Sequence, residues 1–118
     1  MRHLIRVGTL LGVLVLVTGC SDDGDGAGGE PGATVIQVTV HDDQVTPNGE
    51  RVEVEAGEPI TFEIDADAPG ELHVHSTPDH EIEFEAGTST HEVEIDQPGI
   101  VEVELHGPDL VVVQLEVR

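Results

Sequence analysis

From Thr34 to the end of the chain, apolar and polar residues alternate in short runs. Period-two alternation is typical of β-strands with one buried face, as in antiparallel sheets. After the first run, Thr34 to Val40, the inward positions are Val52 and Val54; Ile60, Phe62 and Ile64; Leu72 and Val74; Ile82 and Phe84; Val93 and Ile95; Val101, Val103 and Leu105; and Val111, Val113, Leu115 and Val117. Turns rich in Pro and Gly separate the runs, which predicts an all-β, two-sheet Greek-key sandwich of about eight short strands over residues 34–118.

A different pattern precedes the strands. Arg2 and Arg6 are followed by an apolar stretch, Val7 to Val17, and then by small residues before Cys20, the only cysteine in the chain. A basic start, an apolar core and small residues at the cut site are typical of a secretory signal. The apolar core is shorter than the roughly 20 residues that span a bilayer, which counts against a permanent membrane helix.

The run Leu16-Val17-Thr18-Gly19-Cys20 resembles the lipobox of bacterial lipoproteins. In that family the signal is cut before the cysteine, and the cysteine thiol receives a diacylglyceryl group. The resemblance implies a signal peptide at residues 1–19 and a lipid anchor at Cys20 that holds the protein on the outer face of the cell membrane. A plain signal peptide and an uncleaved membrane helix remain the alternatives. Residues 20–33, rich in Gly and Asp, predict a flexible tether between the anchor and the domain.

Charge narrows the classes of partner. The chain has 25 Asp and Glu residues against four Lys and Arg, and its net charge is −21. Every carboxylate lies after Cys20, and Arg51 and Arg118 are the only Arg or Lys residues in that part of the chain. Such a surface repels nucleic acid and anionic lipid headgroups, so nucleic-acid binding is excluded. Attraction of cations or basic partners and solubility in a saline habitat both remain open.

Two longer runs carry a resemblance to a known fold. The run from Val54 to Ile64 is similar to the "V-x-x-G-x-x-V-x-F" strands of cupredoxins, and the run from Gln97 to His106 is similar to their "P-G-x-Y-x-Y-x-C" strand. The resemblance implies a cupredoxin-like domain in which Leu105 takes the position of the copper-binding cysteine. A blue-copper site needs a thiolate and two His ligands, and often Met as a weak axial ligand. Leu105 offers no thiolate, and the only Met is the initiator, so the domain is not expected to be a blue-copper electron carrier.

Histidines offer a different site. His73 and His75 project from the same side of a strand, opposite Leu72 and Val74. The cupredoxin arrangement implies that this strand pairs antiparallel with the strand ending at His106, which places the three histidines on one outer face. Directly opposed Cβ atoms lie about 5 Å apart, so three imidazoles with Glu71 or Glu104 could bind Cu(II) or Zn(II). An exposed polar face without metal is the alternative.

His41 and His91 are expected near strand ends in solvent. His80 is expected in a loop, from which it could complete the site if that loop folds back over His75. Catalysis finds no support, because Ser76 beside His75 is not a nucleophile motif and the carboxylate pairs follow strand alternation. Two functional hypotheses follow for a non-enzymatic lipoprotein. One is an extracytoplasmic module that binds copper or zinc through His73, His75 and His106. The other is a metal-free β-sandwich that docks on a protein partner.

Overall fold

The computed structural model describes residues 32–118, which form nine β-strands in two sheets. The strands are β1 (Thr34–His41), β2 (Gln44–Thr46), β3 (Glu50–Val54), β4 (Pro59–Ala66), β5 (Gly70–Val74), β6 (His80–Phe84), β7 (Gly87–Glu94), β8 (Gly99–Leu105) and β9 (Leu110–Val117). The all-β sandwich is therefore confirmed. No helix within residues 32–118 is long and apolar enough to cross a membrane. The predicted signal peptide at residues 1–19, Cys20 and the first part of the tether lie outside the described residues.

Each sheet is mixed, which corrects the prediction of purely antiparallel sheets. One sheet has the order β2-β1-β4-β7 and the other the order β3-β9-β8-β5-β6. Strands β1 and β4 run parallel, and so do β3 and β9. Parallel neighbours need a crossover connection, and here the chain crosses to the opposite sheet as β3 between β1 and β4. Strand β2, with the single buried residue Val45, is too short to produce an alternation and was not predicted.

The core is aliphatic and lies between the two sheets. The inward residues of β4 are almost fully buried: Ile60, Phe62 and Ile64 are at most 1% exposed. Among the described residues, every buried side chain is apolar. The alternation therefore predicted the inner face of this strand correctly, because a strand with one buried face must place every second residue inside.

Strand β9 departs from the predicted alternation. Val103 pairs with Val113 while Glu104 pairs with Val111, which leaves Val112 as an extra residue in β9. This is a β-bulge, and it shifts the side chains that precede it in β9 by one position relative to those that follow. Val112 is buried, and Val111, which was predicted to face inward, is only half-buried on the side of Glu104. The irregularity lies beside the outer-face residues discussed below.

Gly70 opens β5 at a point where no side chain fits. It pairs with Phe84, and a Cβ atom added at Gly70 would lie 2.5 Å from Phe84 Cζ. We expect Gly70→Ala to lower the free energy of unfolding by about 1–3 kcal/mol, because the buried ring must move. Urea unfolding of the single variant, of Phe84→Leu and of the double variant measures this. If Gly70→Ala costs as much in the Phe84→Leu background as in the natural chain, the clash is not the cause.

Candidate metal site on the outer face of the five-stranded sheet

Strand β5 places His73 and His75 side by side. Leu72 and Val74 point into the core and are 0% exposed, so His73 between them points outward. His75 follows the strand, and its backbone N–H donates to the Glu102 carbonyl at 2.9 Å. That bond continues the pairing of β5 with β8 and keeps His75 on the outer side. The two ring centroids lie 4.2 Å apart, with the ring planes tilted by 34°.

Each imidazole meets one carboxylate. His75 Nε2 donates to Glu104 Oε2 at 2.9 Å, and His73 Nε2 donates to Asp79 Oδ2 at 3.1 Å. Glu104 comes from β8, directly opposite His73 in the strand register. The hydrogen bond from His73 lowers the pKa of the Asp79 carboxyl below its ordinary value. The two rings are therefore flanked by two carboxylate groups, whose oxygen atoms can also act as metal ligands.

The loop between β5 and β6 brings Asp79 to the site. Residues 75–79 form this loop, and Ser76 Oγ donates to the Pro78 carbonyl at 2.6 Å within it. Asp79 follows Pro78 in this loop, and nothing in the local sequence pattern indicates that the loop folds back over the sheet. The prediction that His80 lies in a loop is wrong. His80 is the first residue of β6, pairs with Val74 and is half-buried.

His106 lies on the same outer face but not opposite the other two histidines. Its backbone N–H donates to the Glu71 carbonyl at 2.9 Å, so Glu71 is its cross-strand neighbour. Because Glu104 is opposite His73, His106 is one diagonal step from His73. Diagonal Cβ atoms lie about 7–8 Å apart, against about 5 Å for opposed ones. Within residues 32–118, no three His, Cys, Asp or Glu side chains are arranged as a metal-binding group. The structure thus brings His73 and His75 together and leaves His106 apart.

A line of hydrogen bonds across the same face explains why Glu102 does not join the pair. Arg51 Nη2 donates to Gln114 Oε1 at 3.2 Å, and Gln114 Nε2 donates to Glu102 Oε1 at 3.1 Å. Glu102 is thereby directed toward β9 and away from β5. On the other side of β5, Glu81 lies opposite His73 in the register of β6. The two imidazoles are surrounded by negative charge, which favours a cation at this position.

Comparison with known proteins gives similarity at the level of structure. No protein-family model matches the chain, and no curated protein matches its sequence. A copper(I) form of an amicyanin variant is similar at a TM-score of 0.52 and 13% identity, over 74% of this chain and 83% of that one. A reduced amicyanin variant has a TM-score of 0.52 at 12% identity, over 76% and 86% of the two chains. The domain has a cupredoxin-like fold.

Residues 32–118 have a cupredoxin-like fold but lack the ligands of a blue-copper centre. Leu105, at the position that resembles the copper-binding cysteine, is 4% exposed and pairs with Leu72 and Leu110. A site with only aliphatic side chains at this position offers no thiolate, and residues 32–118 contain neither Cys nor Met. The residues therefore do not fit a blue-copper centre. His73 and His75 lie on the outer face of the five-stranded sheet instead.

Proposed function

We propose that the chain is a lipoprotein anchored through Cys20 on the outer face of the cell membrane, and that its cupredoxin-like domain binds Cu(II) or Zn(II). His73 and His75 supply the two nitrogen ligands, and Glu104 and Asp79 supply oxygen. His106, one diagonal step away, turns toward the ion as a further ligand. The observation that carries the proposal is the arrangement of two adjacent imidazoles, each in contact with a carboxylate.

Each imidazole–carboxylate pair has a contact distance that suits two ligands of one ion. Binding of one ion by both pairs requires their side chains to move together, since as they stand no three of them form a metal-binding group within the described residues. Two ligand atoms about 2.0–2.2 Å from one metal, at angles between square-planar and tetrahedral, lie about 2.8–3.5 Å from each other. The His75–Glu104 and His73–Asp79 contacts, at 2.9 and 3.1 Å, fall within that range. A proton now joins each nitrogen to its oxygen. When Nε2 binds a divalent cation, a neutral ring carries its proton on Nδ1 instead. A protonated ring must release one proton before it can bind, so binding weakens as the pH falls.

The proposed ligand atoms are nitrogen and oxygen, and this combination limits which metal ions suit the site. Tetragonal nitrogen and oxygen sites suit Cu(II), and tetrahedral sites of His and carboxylate suit Zn(II). Without a thiolate the site has no means of stabilising Cu(I) as a blue-copper protein does. The role that fits is capture or buffering of a divalent ion close to the membrane, and not electron transfer.

Calorimetric titration of the full chain, purified in non-ionic detergent without a histidine tag, tests the proposal. We expect one Zn(II) or Cu(II) ion to bind per chain with a Kd below about 1 μM, which corresponds to a binding free energy of roughly −8 kcal/mol. The variant His73→Ala/His75→Ala is expected to bind at least about 100-fold more weakly. His106→Ala is expected to lose less.

The matched control is His41→Ala/His91→Ala, which removes two imidazoles from other strands and leaves the affinity unchanged. Weak binding at several sites that survives the His73→Ala/His75→Ala change would contradict the proposal, because it would reduce the interaction to attraction by the acidic surface.

A further inference from the structure

The two sheets end on the same side of the sandwich, at β6 and β7. Strand β6 is the last strand of the five-stranded sheet, and β7 is the last strand of the four-stranded sheet. Only residues 85 and 86 separate the two strands, so β7 runs back alongside β6. An open groove of about 770 Å³ lies between them. Within the described residues, each of these strands has one edge without a neighbour in its own sheet.

The groove has an apolar and imidazole floor and acidic rims. Ile82 and Val93 are buried, and His80 and His91, both half-buried, lie on the same inward positions of their strands. His91 was expected in solvent near a strand end, but it lies within β7, where its Nε2 contacts Ser89 Oγ at 3.1 Å. The alternate, exposed positions along the groove include Glu81, Glu83 and Glu92. Inward and outward positions therefore differ in chemistry along the whole groove.

Strand β7 lacks the devices that protect the edges of natural sheets, which include short length, Pro, Lys and bulges. It pairs with β4 over eight consecutive positions without a break in register. It contains no Pro or Lys, and its first five residues, Gly87 to His91, carry no carboxylate. At the opposite end of the same sheet, β2 has only three residues and is followed by Pro47. Strand β7, whose carboxylates are Glu92 and Glu94, is thus an uninterrupted template for one further strand.

Charge decides which strand can be added. The chain carries a net charge of −21, so an edge-to-edge contact between two copies brings like charges together. Arg51 and Arg118 cannot offset this at the groove, because both are hydrogen-bonded to residues of β3 or β9: Arg51 to Gln114, and Arg118 to Glu53 and Glu116. A basic strand, in contrast, meets complementary charge on both rims.

We propose that this groove binds an extended basic segment of a partner protein, which adds to the free edge of β7 as a further strand. Successive side chains of an added strand point to opposite sides. The segment that fits alternates apolar residues, directed toward Ile82 and Val93, with Lys or Arg, directed outward beside Glu92. Glu81 and Glu83 on the other rim attract the basic segment through their charge. Main-chain hydrogen bonds to β7 supply affinity, and the alternation supplies specificity. This surface adjoins the histidine pair, because Glu81 lies opposite His73 in the register of β5 and β6. Addition of a strand to β7 does not itself require a bound metal.

Fluorescence anisotropy with the full chain in detergent tests the proposal. The probe is a labelled ten-residue peptide that alternates Lys and Val, titrated in about 0.15 M salt, where surface charges farther apart than about 8 Å are screened. A second peptide has the same sequence with N-methyl groups on every second amide, so it keeps its charge but cannot extend a sheet. We expect the N-methylated peptide to bind at least about tenfold more weakly, because several hydrogen bonds are lost.

Two protein variants complete the test, and each has three carboxylates fewer than the natural chain, so that their net charges are equal. Glu81→Gln/Glu83→Gln/Glu92→Gln removes the rim carboxylates and is expected to weaken binding of the Lys-Val peptide at least about tenfold. Asp42→Asn/Asp43→Asn/Glu50→Gln removes three carboxylates at the other side of the sandwich and is expected to leave it unchanged. Equal binding of both peptides, or equal losses in both variants, would overturn the proposal and leave only non-specific attraction by the acidic surface.

Discussion

We expect the natural chain to carry a diacylglyceryl group on the Cys20 thiol and a Cys20→Ser chain to carry no lipid. A hydroxyl cannot replace the thiol in the lipidation reaction of the family that the Leu16–Cys20 run resembles. Each acyl CH₂ buried in a bilayer contributes about 0.8 kcal/mol, so loss of two chains removes the whole anchor. The measurement is intact mass and metabolic labelling with a fatty acid, on the natural chain and on Cys20→Ser produced in the same bacterium.

The matched control is Ser21→Ala, which changes the neighbouring residue and keeps the thiol, and we expect it to be labelled like the natural chain. The measured mass also distinguishes the two alternatives, a plain signal peptide and an uncleaved membrane helix. An unlabelled natural chain that begins near residue 20 would indicate a plain signal peptide. An unlabelled natural chain that still begins at Met1 would indicate a membrane helix. Either result contradicts the lipoprotein proposal.

Phe62→Ala is expected to lower the free energy of unfolding by about 3–5 kcal/mol. Phe62 is one of two aromatic residues in the chain, is 0% exposed and lies in the middle of β4, between β1 and β7. Removing its ring leaves a cavity that β-branched neighbours cannot fill by moving. A domain of this size has only roughly 4–13 kcal/mol of stability, so the loss is a large share of the total.

Urea unfolding at constant salt, followed by circular dichroism, measures this loss. Ile100→Ala serves as the control, because Ile100 is 52% exposed on the outer face of β8 and its truncation is expected to change stability by about 0.5 kcal/mol or less. Similar losses in the two variants would mean that Phe62 does not anchor the core, and the assignment of the inner face of β4 would be wrong.

Alternation along the chain predicts most of the fold because each strand has one buried face. It identifies the inner residues of β4 and β5, and it places His73 and His75 on the outside. The cupredoxin resemblance adds the antiparallel contact of β5 with β8, which the structure confirms. The local sequence pattern cannot indicate which strands pair in parallel. Strands β1 and β4 would show the same alternation with a parallel or an antiparallel neighbour.

The finer features of the candidate site depend on register and loop path, and neither is local. His106 lies opposite Glu71 because of where β5 and β8 align, and a shift by two residues would have placed it opposite His73. Asp79 reaches His73 only because residues 75–79 fold back over the sheet. The extra residue Val112 looks like part of a longer apolar run, so the bulge beside Glu104 is not visible in the sequence.

The most direct test of metal binding by the histidine pair is electron paramagnetic resonance of the full chain with one equivalent of Cu(II). The proposed site predicts a tetragonal Cu(II) signal with nitrogen hyperfine structure from two imidazoles. That structure should be absent in His73→Ala/His75→Ala and present in His41→Ala/His91→Ala. An identical spectrum in the natural chain and in His73→Ala/His75→Ala would contradict the account, because the ion would then be bound elsewhere.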